Sequence, residues 1–266
     1  FGYADIEKNK KADANTKYKI GSVSKTFTAV LVFKAIEQKK LSLDTKLNKF
    51  FPTVKNADKI TIQNLLNHSS GIYSLTDDEN YLSWNTTQMS EKDLLDKIAL
   101  GESLFEPNAK HQYSNSNYVL LSFILEKVYK QSYSEILKNQ ITTPLNLSST
   151  YLGENKTDET NIAQSYIYKE SWKKEPETHY SIPLGAGAIV STPEDLTVFI
   201  NALFSNKIVK PENLKAMATF TNRYGLGLFE MPHEGHYGIG HDGAIDGFKS
   251  MLTIFPEQKI SYAIIS

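Results

Sequence analysis

Ser22 and Lys25 stand three residues apart at the start of an apolar segment, IGSVSKTFTAVLVFKAI, residues 20–36. If this segment is a helix, its first turn brings both side chains to one face. A serine hydroxyl becomes a good nucleophile only when a neighbouring base takes its proton. Lysine has an ordinary pKa of about 10.4, which burial and the positive end of a helix lower. The spacing therefore predicts a nucleophile beside its base.

The same spacing also has a purely structural interpretation, in which Ser22 caps the helix and Lys25 reaches solvent. A second Ser-x-x-Lys, Ser171 with Lys174, lies in KESWKKEPE, a charged stretch expected to face water, and is set aside. The first match differs in its context. Its segment has no polar stripe wide enough to face water, so the helix should be buried on most sides.

Two further short motifs carry groups that suit catalysis. Tyr113-Ser114-Asn115 precedes a second strongly apolar segment, SNYVLLSFILEKVYK, and His241-Asp242-Gly243-Ala244 ends a β-like run. Taken singly, each is ordinary: a tyrosine in a loop, an asparagine near a helix cap, a structural histidine.

Together and in this order, the three motifs resemble those of the penicillin-recognising serine hydrolases. That family comprises class C β-lactamases, serine D-alanyl-D-alanine carboxypeptidases and related esterases, and it is marked by Ser-x-x-Lys, Tyr-x-Asn and Lys- or His-x-Gly. The surrounding segments IGSVSKTFTA, LLNHSSGI, YSNSNY, GAGAIVSTPEDL and GHDGAIDGF also look like family segments, in family order. The resemblance covers nearly the whole chain, except for a first helix and strand and a terminal helix.

The resemblance implies roles for the first two motifs. Ser22 would be the acylated nucleophile, and Lys25 and Tyr113 would take its proton and pass it to the leaving group. Because an unperturbed tyrosine has a pKa of about 10, an adjacent cation would be needed to make the phenolate accessible. Asn115 would bind the acyl amide of the substrate or orient Lys25.

The third motif is implied to bind the substrate. His241 would contribute polarity or charge opposite the tyrosine. The backbone N–H groups of Ser22 and Ala244 would form the oxyanion hole, with Gly243 allowing close approach of the backbone. Asp242 departs from the Thr or Ser usual in β-lactamases and carboxypeptidases. If its carboxylate faces the pocket, it would repel a substrate carboxylate; if it turns outward, this inference disappears.

The order of the elements predicts an α+β fold. β-like runs occur at both ends of the chain and helical patterns fill the middle, which indicates a central antiparallel β-sheet flanked by helices, as in a β-lactamase/transpeptidase-like fold. Residues 1–44 and 166–266 are expected to form the sheet domain and residues 45–165 a mostly helical subdomain, with the active site between them. Because the chain begins in FGYADI and stops in KISYAIIS, both apparent strands, a fragment of a longer protein is expected.

Capping signals locate several helices. The predicted helices span about 22–40, a short stretch ending at Gly71, Ser90 to Ala99, 116–130, Ser132 to about 140, and a helix starting at Thr192. Residues 72–88 are predicted to form a long loop. Three interpretations stay open for its Tyr81 and Trp84: they line the pocket, they are exposed aromatics of the loop, or they fill the core.

Composition excludes several function classes. The 266 residues include 29 Lys and Arg against 30 Asp and Glu, so nothing favours nucleic acid as a partner. The chain has no cysteine and no apolar run approaching the roughly 18 residues of a membrane span. His233 and His236 have the wrong spacing for a helical zinc pair. No cofactor and no metal are expected, and a structural hydrogen bond is expected for His68.

The leading hypothesis is a serine hydrolase that forms an acyl-enzyme with a peptidoglycan-type D-amino-acid substrate, a β-lactam or a small ester. The alternative is a weakly active or inactive family member that binds cell-wall fragments or a protein partner. The family implies export to the periplasm or cell surface. Membrane association is expected only through segments outside this chain, and the protein is expected to be a monomer.

Overall fold

A computed structural model describes residues 2–153 and 160–266. In these ranges the helices are α1 (Ser24–Glu37), α2 (Ile62–Leu66), α3 (Tyr81–Trp84), α4 (Glu91–Leu100), α5 (Asn115–Tyr129), α6 (Tyr133–Leu137), α7 (Thr143–Leu145), α8 (Pro193–Phe204) and α9 (Pro211–Met217). The strands are β1 (Tyr3–Asp5), β2 (Lys10–Lys11), β3 (Tyr18–Lys19), β4 (Tyr151–Leu152), β5 (Tyr166–Lys169), β6 (Ser171–Lys174), β7 (Ile189–Ser191), β8 (Phe229–Glu230), β9 (Ile239–Ile245), β10 (Phe248–Phe255) and β11 (Ile260–Ile265). Phe1, the first residue of the first predicted strand, lies outside the described residues.

The main sheet is antiparallel and has the strand order β11-β10-β9-β8. β10 pairs with β9 from Phe248↔Ile245 to Ile254↔Ile239, and the turn between them is tight. Helix α8 packs on β10 and β11. The predicted α+β class, with helices on an antiparallel sheet, is confirmed.

Helix α1 is buried on most of its surface, as its sequence predicts. Phe27 stacks on Phe199 of α8 with ring centroids 3.6 Å apart, which fixes α1 against the helix that covers the sheet. The polar side chains in α1 are satisfied internally: the hydroxyl of Thr26 donates to the carbonyl of Gly227 at 2.9 Å. The core therefore accepts this helix without an unpaired hydroxyl.

The predicted capping residues start their helices. Ser90 and Ser132 both form capping boxes at the starts of α4 and α6. The hydroxyl of Thr192 accepts from the N–H of Asp195, with Pro193 in the first turn of α8. The predicted loop over 72–88 is wrong in part, since it contains a 3-10 turn, Leu75–Asp77, and the single-turn helix α3. No helix in the described ranges is both long enough and apolar enough to cross a membrane.

Smaller sheets complete the fold. β3, β7 and β4 form a three-stranded sheet, and β5 and β6 form a separate hairpin. Aromatic and charged residues in that hairpin lack the alternation that marks a half-buried strand, which is why its sequence does not predict it. β4 lies within the segment 45–165 but pairs with β7. The division into domains at 45 and 165 stays a prediction.

Candidate active site

Ser22 lies in a 3-10 turn, Gly21–Val23, directly before α1. Two contacts fix the residue before this turn: the N–H of Ile20 donates to the carbonyl of Ile189 at 3.0 Å, and the hydroxyl of Ser250 donates to the carbonyl of Ile20 at 2.7 Å. The turn that carries the candidate nucleophile is therefore fixed by contacts with both the three-stranded sheet β3-β7-β4 and the main sheet.

Lys25 is completely buried, and its Nζ contacts three oxygens. These are the hydroxyl of Ser22 at 3.0 Å, Oδ1 of Asn115 at 2.8 Å and the carbonyl of Ala186 at 2.7 Å. Burial lowers the pKa of Lys25 well below its ordinary value, and the nearby Asp242 carboxylate offsets only part of this effect. The buried amine therefore favours its neutral form.

The three contacts suit a neutral amine acting as a base. Such an amine has two N–H groups and one lone pair, and the oxygens of Asn115 and Ala186 can only accept hydrogen bonds. These two acceptors use both N–H groups. The lone pair is left for the O–H of Ser22, which is the arrangement a general base requires.

Asn115 is the first residue of α5, and its neighbours orient it. Its backbone N–H donates to Oγ of Ser74 at 3.1 Å, and its Nδ2 donates to Oγ1 of Thr76 at 2.9 Å. With the amide nitrogen engaged in this way, Oδ1 faces Lys25. Of the two roles that the resemblance implies for Asn115, the geometry shows the orientation of Lys25.

Tyr113 lies beside the same pair of residues. Its ring centroid is 4.8 Å from Nζ of Lys25. Burial raises the pKa of Tyr113, and a hydrogen-bond interaction with Ser22 lowers it only partway. The phenol therefore favours its protonated form, which suits it to relaying a proton and makes it a poorer initial base than the Lys25 amine.

The end of β9 lies against the turn that carries Ser22. A Cβ atom on Gly21 would come within 2.8 Å of the backbone nitrogen of Ala244. One on Gly243 would clash with the carbonyl oxygen of Ile20 and lie 3.0 Å from the nitrogen of Ser22. The backbone N–H groups of Ser22 and Ala244, which form the predicted oxyanion hole, thus lie on two chain segments that are in close contact. Only glycine at 243 permits this approach without a shift.

We expect Gly243→Ala to lower kcat/KM at least about a hundredfold, because a displacement of about 1 Å between nucleophile and oxyanion donors is costly. The rate of Ser22 labelling by a fluorophosphonate, together with the circular dichroism spectrum, measures this effect in folded protein. A folded variant that is labelled at the parental rate would contradict the close approach.

His241 and Asp242 are neighbours on β9 that differ in exposure. His241 is buried, and burial followed by the nearby Lys25 lowers its pKa to about 3, so it contributes polarity rather than charge at neutral pH. The Asp242 side chain is 68% exposed and borders a separate surface cavity with Arg223 and Phe229. A contact between Asp242 and substrate stays a prediction.

A buried hydrogen-bond chain links the second and third motifs. The N–H of Ser114 donates to Nδ1 of His68 at 3.1 Å, so Nε2 of His68 carries the proton and donates to the hydroxyl of Tyr224, also at 3.1 Å. On the far side, Nδ1 of His241 donates to the carbonyl of Asp242, and its Nε2 lies 3.5 Å from the hydroxyl of Tyr224, which donates to the hydroxyl of Tyr118. The expected structural hydrogen bond of His68 is confirmed.

Ser22 opens into a cavity of about 430 Å³. Asn115, Ala244 and Tyr81 are part of its wall, whereas Trp84 instead donates its indole N–H to Asp78 at 3.0 Å. The remaining wall is Leu75, Thr76, Leu82, Asn85, Val119, Ile167, Glu175, Pro176, Thr178, Ile182, Pro183, Ala186, Gly187, Ile245 and Asp246. Within the described ranges, no group of three or more His, Asp or Glu is placed to hold a metal ion.

Comparison with known proteins decides the family. The family model described as Beta-lactamase matches residues 1–266. The chain belongs to the Beta-lactamase family. The resemblance found in the three motifs is thereby confirmed over the full sequence.

Curated relatives from Staphylococcus aureus and Bacillus subtilis match the whole chain. "Protein flp" of Staphylococcus aureus strain MRSA252 is 26% identical over 282 residues, which cover 100% of this chain and 56% of that protein. "Penicillin-binding protein 4*" of Bacillus subtilis strain 168 is 26% identical over 297 residues, covering 100% of this chain and 64% of the relative. The chain therefore spans less than two thirds of the length of these relatives.

Among solved structures, a D-stereospecific amidohydrolase from a Streptomyces species is similar to this chain with a TM-score of 0.87 and 28% identity, covering 96% of this chain and 83% of that one. This similarity confirms the β-lactamase/transpeptidase-like fold. Together with the Beta-lactamase family match, it supports a serine hydrolase.

The motif residues of this Beta-lactamase family member are accompanied by groups that sequence reasoning missed. The carbonyl of Ala186, the hydroxyls of Ser74 and Thr76, and the phenol of Tyr224 all shape the site. Ala186 does fall in GAGAIVSTPEDL, a segment that resembles the family, but a backbone carbonyl leaves no trace in residue type.

Proposed function

We propose that this protein is a serine hydrolase that forms an acyl-enzyme on Ser22 from an amide or ester substrate. The observation that carries the proposal is the environment of Lys25. Its buried Nζ contacts two acceptors, Oδ1 of Asn115 and the carbonyl of Ala186, and lies 3.0 Å from the Ser22 hydroxyl, so a neutral amine with its N–H groups on the acceptors would direct its lone pair at that hydroxyl. Few structural roles for a lysine need it to be buried, neutral and beside a serine.

The chemistry follows from these positions. Lys25 takes the Ser22 proton while Oγ attacks the carbonyl carbon, and the negative charge moves to the carbonyl oxygen. The N–H groups of Ser22 and Ala244 stabilise this oxyanion. As it collapses, the bond to the leaving group breaks, and the proton on Lys25 reaches the leaving atom through the phenol of Tyr113. Attack by water on the acyl-enzyme repeats these transfers and releases the acid.

The substrate classes proposed are peptidoglycan-type D-amino-acid compounds, β-lactams and small esters. Relatives named as a penicillin-binding protein and a D-stereospecific amidohydrolase support the first two. We also propose that the substrate is a small molecule or derives from peptidoglycan. The protein is proposed to be exported and to be a monomer.

The decisive experiment is mass spectrometry of the protein after exposure to a labelled penicillin and, separately, to a fluorophosphonate. We expect a single adduct on Ser22, with complete loss in Ser22→Ala. Ser171→Ala is the matched control, because Ser171 belongs to the exposed second Ser-x-x-Lys of the chain and its loss should leave labelling unchanged. If neither reagent modifies Ser22, the hydrolase proposal fails and the non-catalytic binding alternative gains support.

A further inference from the structure

The cavity that holds Ser22 has an unusual charge pattern for a site that would bind a carboxylate. Among the described residues that form its wall, none is Lys or Arg, whereas two are acidic, Glu175 and Asp246. A substrate carboxylate entering this cavity would meet no basic side chain in the wall to pair with. The charge pattern is therefore the first indication of substrate preference.

Asp246 does not account for this preference, because protein groups already satisfy it. Its side chain is only 4% exposed and lies 3.3 Å from Nζ of Lys19. It also accepts from the backbone N–H of Thr178 at 3.0 Å and from its hydroxyl at 2.7 Å. Lys19 in turn pairs with Glu177 at 2.8 Å, so this lysine is fully occupied by two carboxylates.

Glu175 differs from Asp246 and Glu177, which both pair with Lys19. Its backbone is fixed by donation of its N–H to the carbonyl of Ser165 at 3.0 Å. Its half-buried carboxylate, however, has no hydrogen-bond or ion-pair partner among residues 2–153 and 160–266. The adjacent Lys174 is turned toward Glu7, 3.9 Å away. Glu175, a residue with an unpaired carboxylate, thus lines the same cavity as the nucleophile.

The surroundings of Glu175 make an unpaired carboxylate effective there. Ile167, Ile182 and Pro183 also form the wall, and apolar neighbours weaken the screening of a charge by water. An ammonium group on the substrate would gain a charge-assisted hydrogen bond in this position, while its carbon chain packed on the apolar wall.

We propose that the cavity selects substrates that carry an ammonium group, with Glu175 as the residue that binds it. This inference rests on the proposed hydrolase function and names the substrate class for that function. A carboxylate at the same position of the substrate would be rejected, because it would lie beside Glu175 with no cation in the wall to offset the repulsion.

The test uses three p-nitrophenyl esters whose acyl chains have equal length and end in an ammonium, a methyl or a carboxylate group. The native protein should show the highest kcat/KM with the ammonium ester and the lowest with the carboxylate ester. Glu175→Gln should reduce the ammonium-to-methyl ratio about two- to fivefold, the range expected of a partly exposed ion pair. Glu175→Lys should reverse the order.

Glu170→Gln is the matched control, because it removes an equal charge at the exposed turn of the same hairpin, outside the cavity wall. Its ratios should equal those of the native protein. An unchanged fluorophosphonate labelling rate in Glu175→Gln shows that the variant is folded. Turnover of all three esters with the same ratios in native protein and Glu175→Gln would overturn the inference while leaving the hydrolase proposal intact.

The subsite can also be tested without turnover. Calorimetric titration of Ser22→Ala with a straight-chain alkylammonium should show binding that is weakened about two- to fivefold in Ser22→Ala/Glu175→Gln. Equal binding to both proteins, or tighter binding of the matching carboxylate, contradicts the assignment of Glu175 even if no ester is hydrolysed.

Discussion

Replacing Lys25 with methionine is expected to lower kcat/KM for an ester or amide by at least about a thousandfold, within the usual range for removing a general base. The native amine is buried and favours its neutral form, so Ser22 has a base 3.0 Å away. Methionine fills a similar volume but has no lone pair of comparable basicity. It also leaves the acceptors of Asn115 and Ala186 without a donor.

The pH dependence should reveal the same group. Because burial lowers the pKa of Lys25, protonation inactivates the base only below that lowered value. We therefore expect kcat/KM to rise with pH through a midpoint well under the ordinary lysine value of about 10.4, and then to level off. His241 does not supply this midpoint, since its pKa of about 3 leaves it neutral throughout.

Lys34→Met is the control for the Lys25 substitution. It lies on the same helix, but its Nζ donates to the carbonyl of Ile208 at 3.1 Å, away from Ser22. Its kcat/KM should stay within about twofold of the native value. Steady-state kinetics across pH on both variants measures the effect. Activity of Lys25→Met within tenfold of the native protein would exclude Lys25 as the base.

The parts of the site that follow from local sequence were predictable. Ser22 and Lys25 are one turn apart on a helix, so their proximity follows from helical spacing alone. The caps at Ser90 and Ser132 are also local, because each side chain accepts a hydrogen bond from the backbone N–H three residues ahead. The resemblance supplied the third motif, and the structure places Gly243 against the Ser22 turn.

The groups that were missed act across large sequence separations. The carbonyl of Ala186 is 161 residues from the lysine that donates to it, and the hydroxyl of Tyr224 is 156 residues from its partner on His68. Neither a backbone carbonyl nor an isolated tyrosine has a spacing that marks it. Glu175 was missed for a related reason: it belongs to a charged stretch that resembles an ordinary solvated surface.

Acid should destabilise the folded protein well above the pH at which carboxylates titrate. His68 and His241 are both buried, and burial is the main cause of their lowered pKa, to about 3 for His241 and well below the ordinary value for His68. In the unfolded chain each imidazole binds a proton below a pH of about 6.5. The unfolded state therefore binds more protons, and the free energy of unfolding falls as pH decreases through this window.

The expected size is large. Each histidine contributes up to about 1.4 kcal/mol per pH unit, so His241, which stays neutral in the folded protein, removes roughly 2 kcal/mol between about pH 6.5 and 4.5. The lowered pKa of His68 adds a loss of the same sign, and a loss of this size is a substantial fraction of the whole stability of many domains. Urea unfolding at several pH values measures it. Carboxylates with lowered pKa, such as Asp5, add to the loss only at lower pH.

Two variants separate the buried histidines from the general effect of acid. His241→Gln removes one titrating group, so its unfolding free energy should fall across the window by roughly 2 kcal/mol less than that of the native protein, whatever the absolute stability of the variant. His233→Gln is the matched control, because it removes an imidazole that is 67% exposed. Because each comparison is a slope within one protein, lost packing at the substituted site does not mimic the result. Equal slopes in the native protein and His241→Gln would mean that His241 titrates normally in the folded state, and that burial does not keep it neutral.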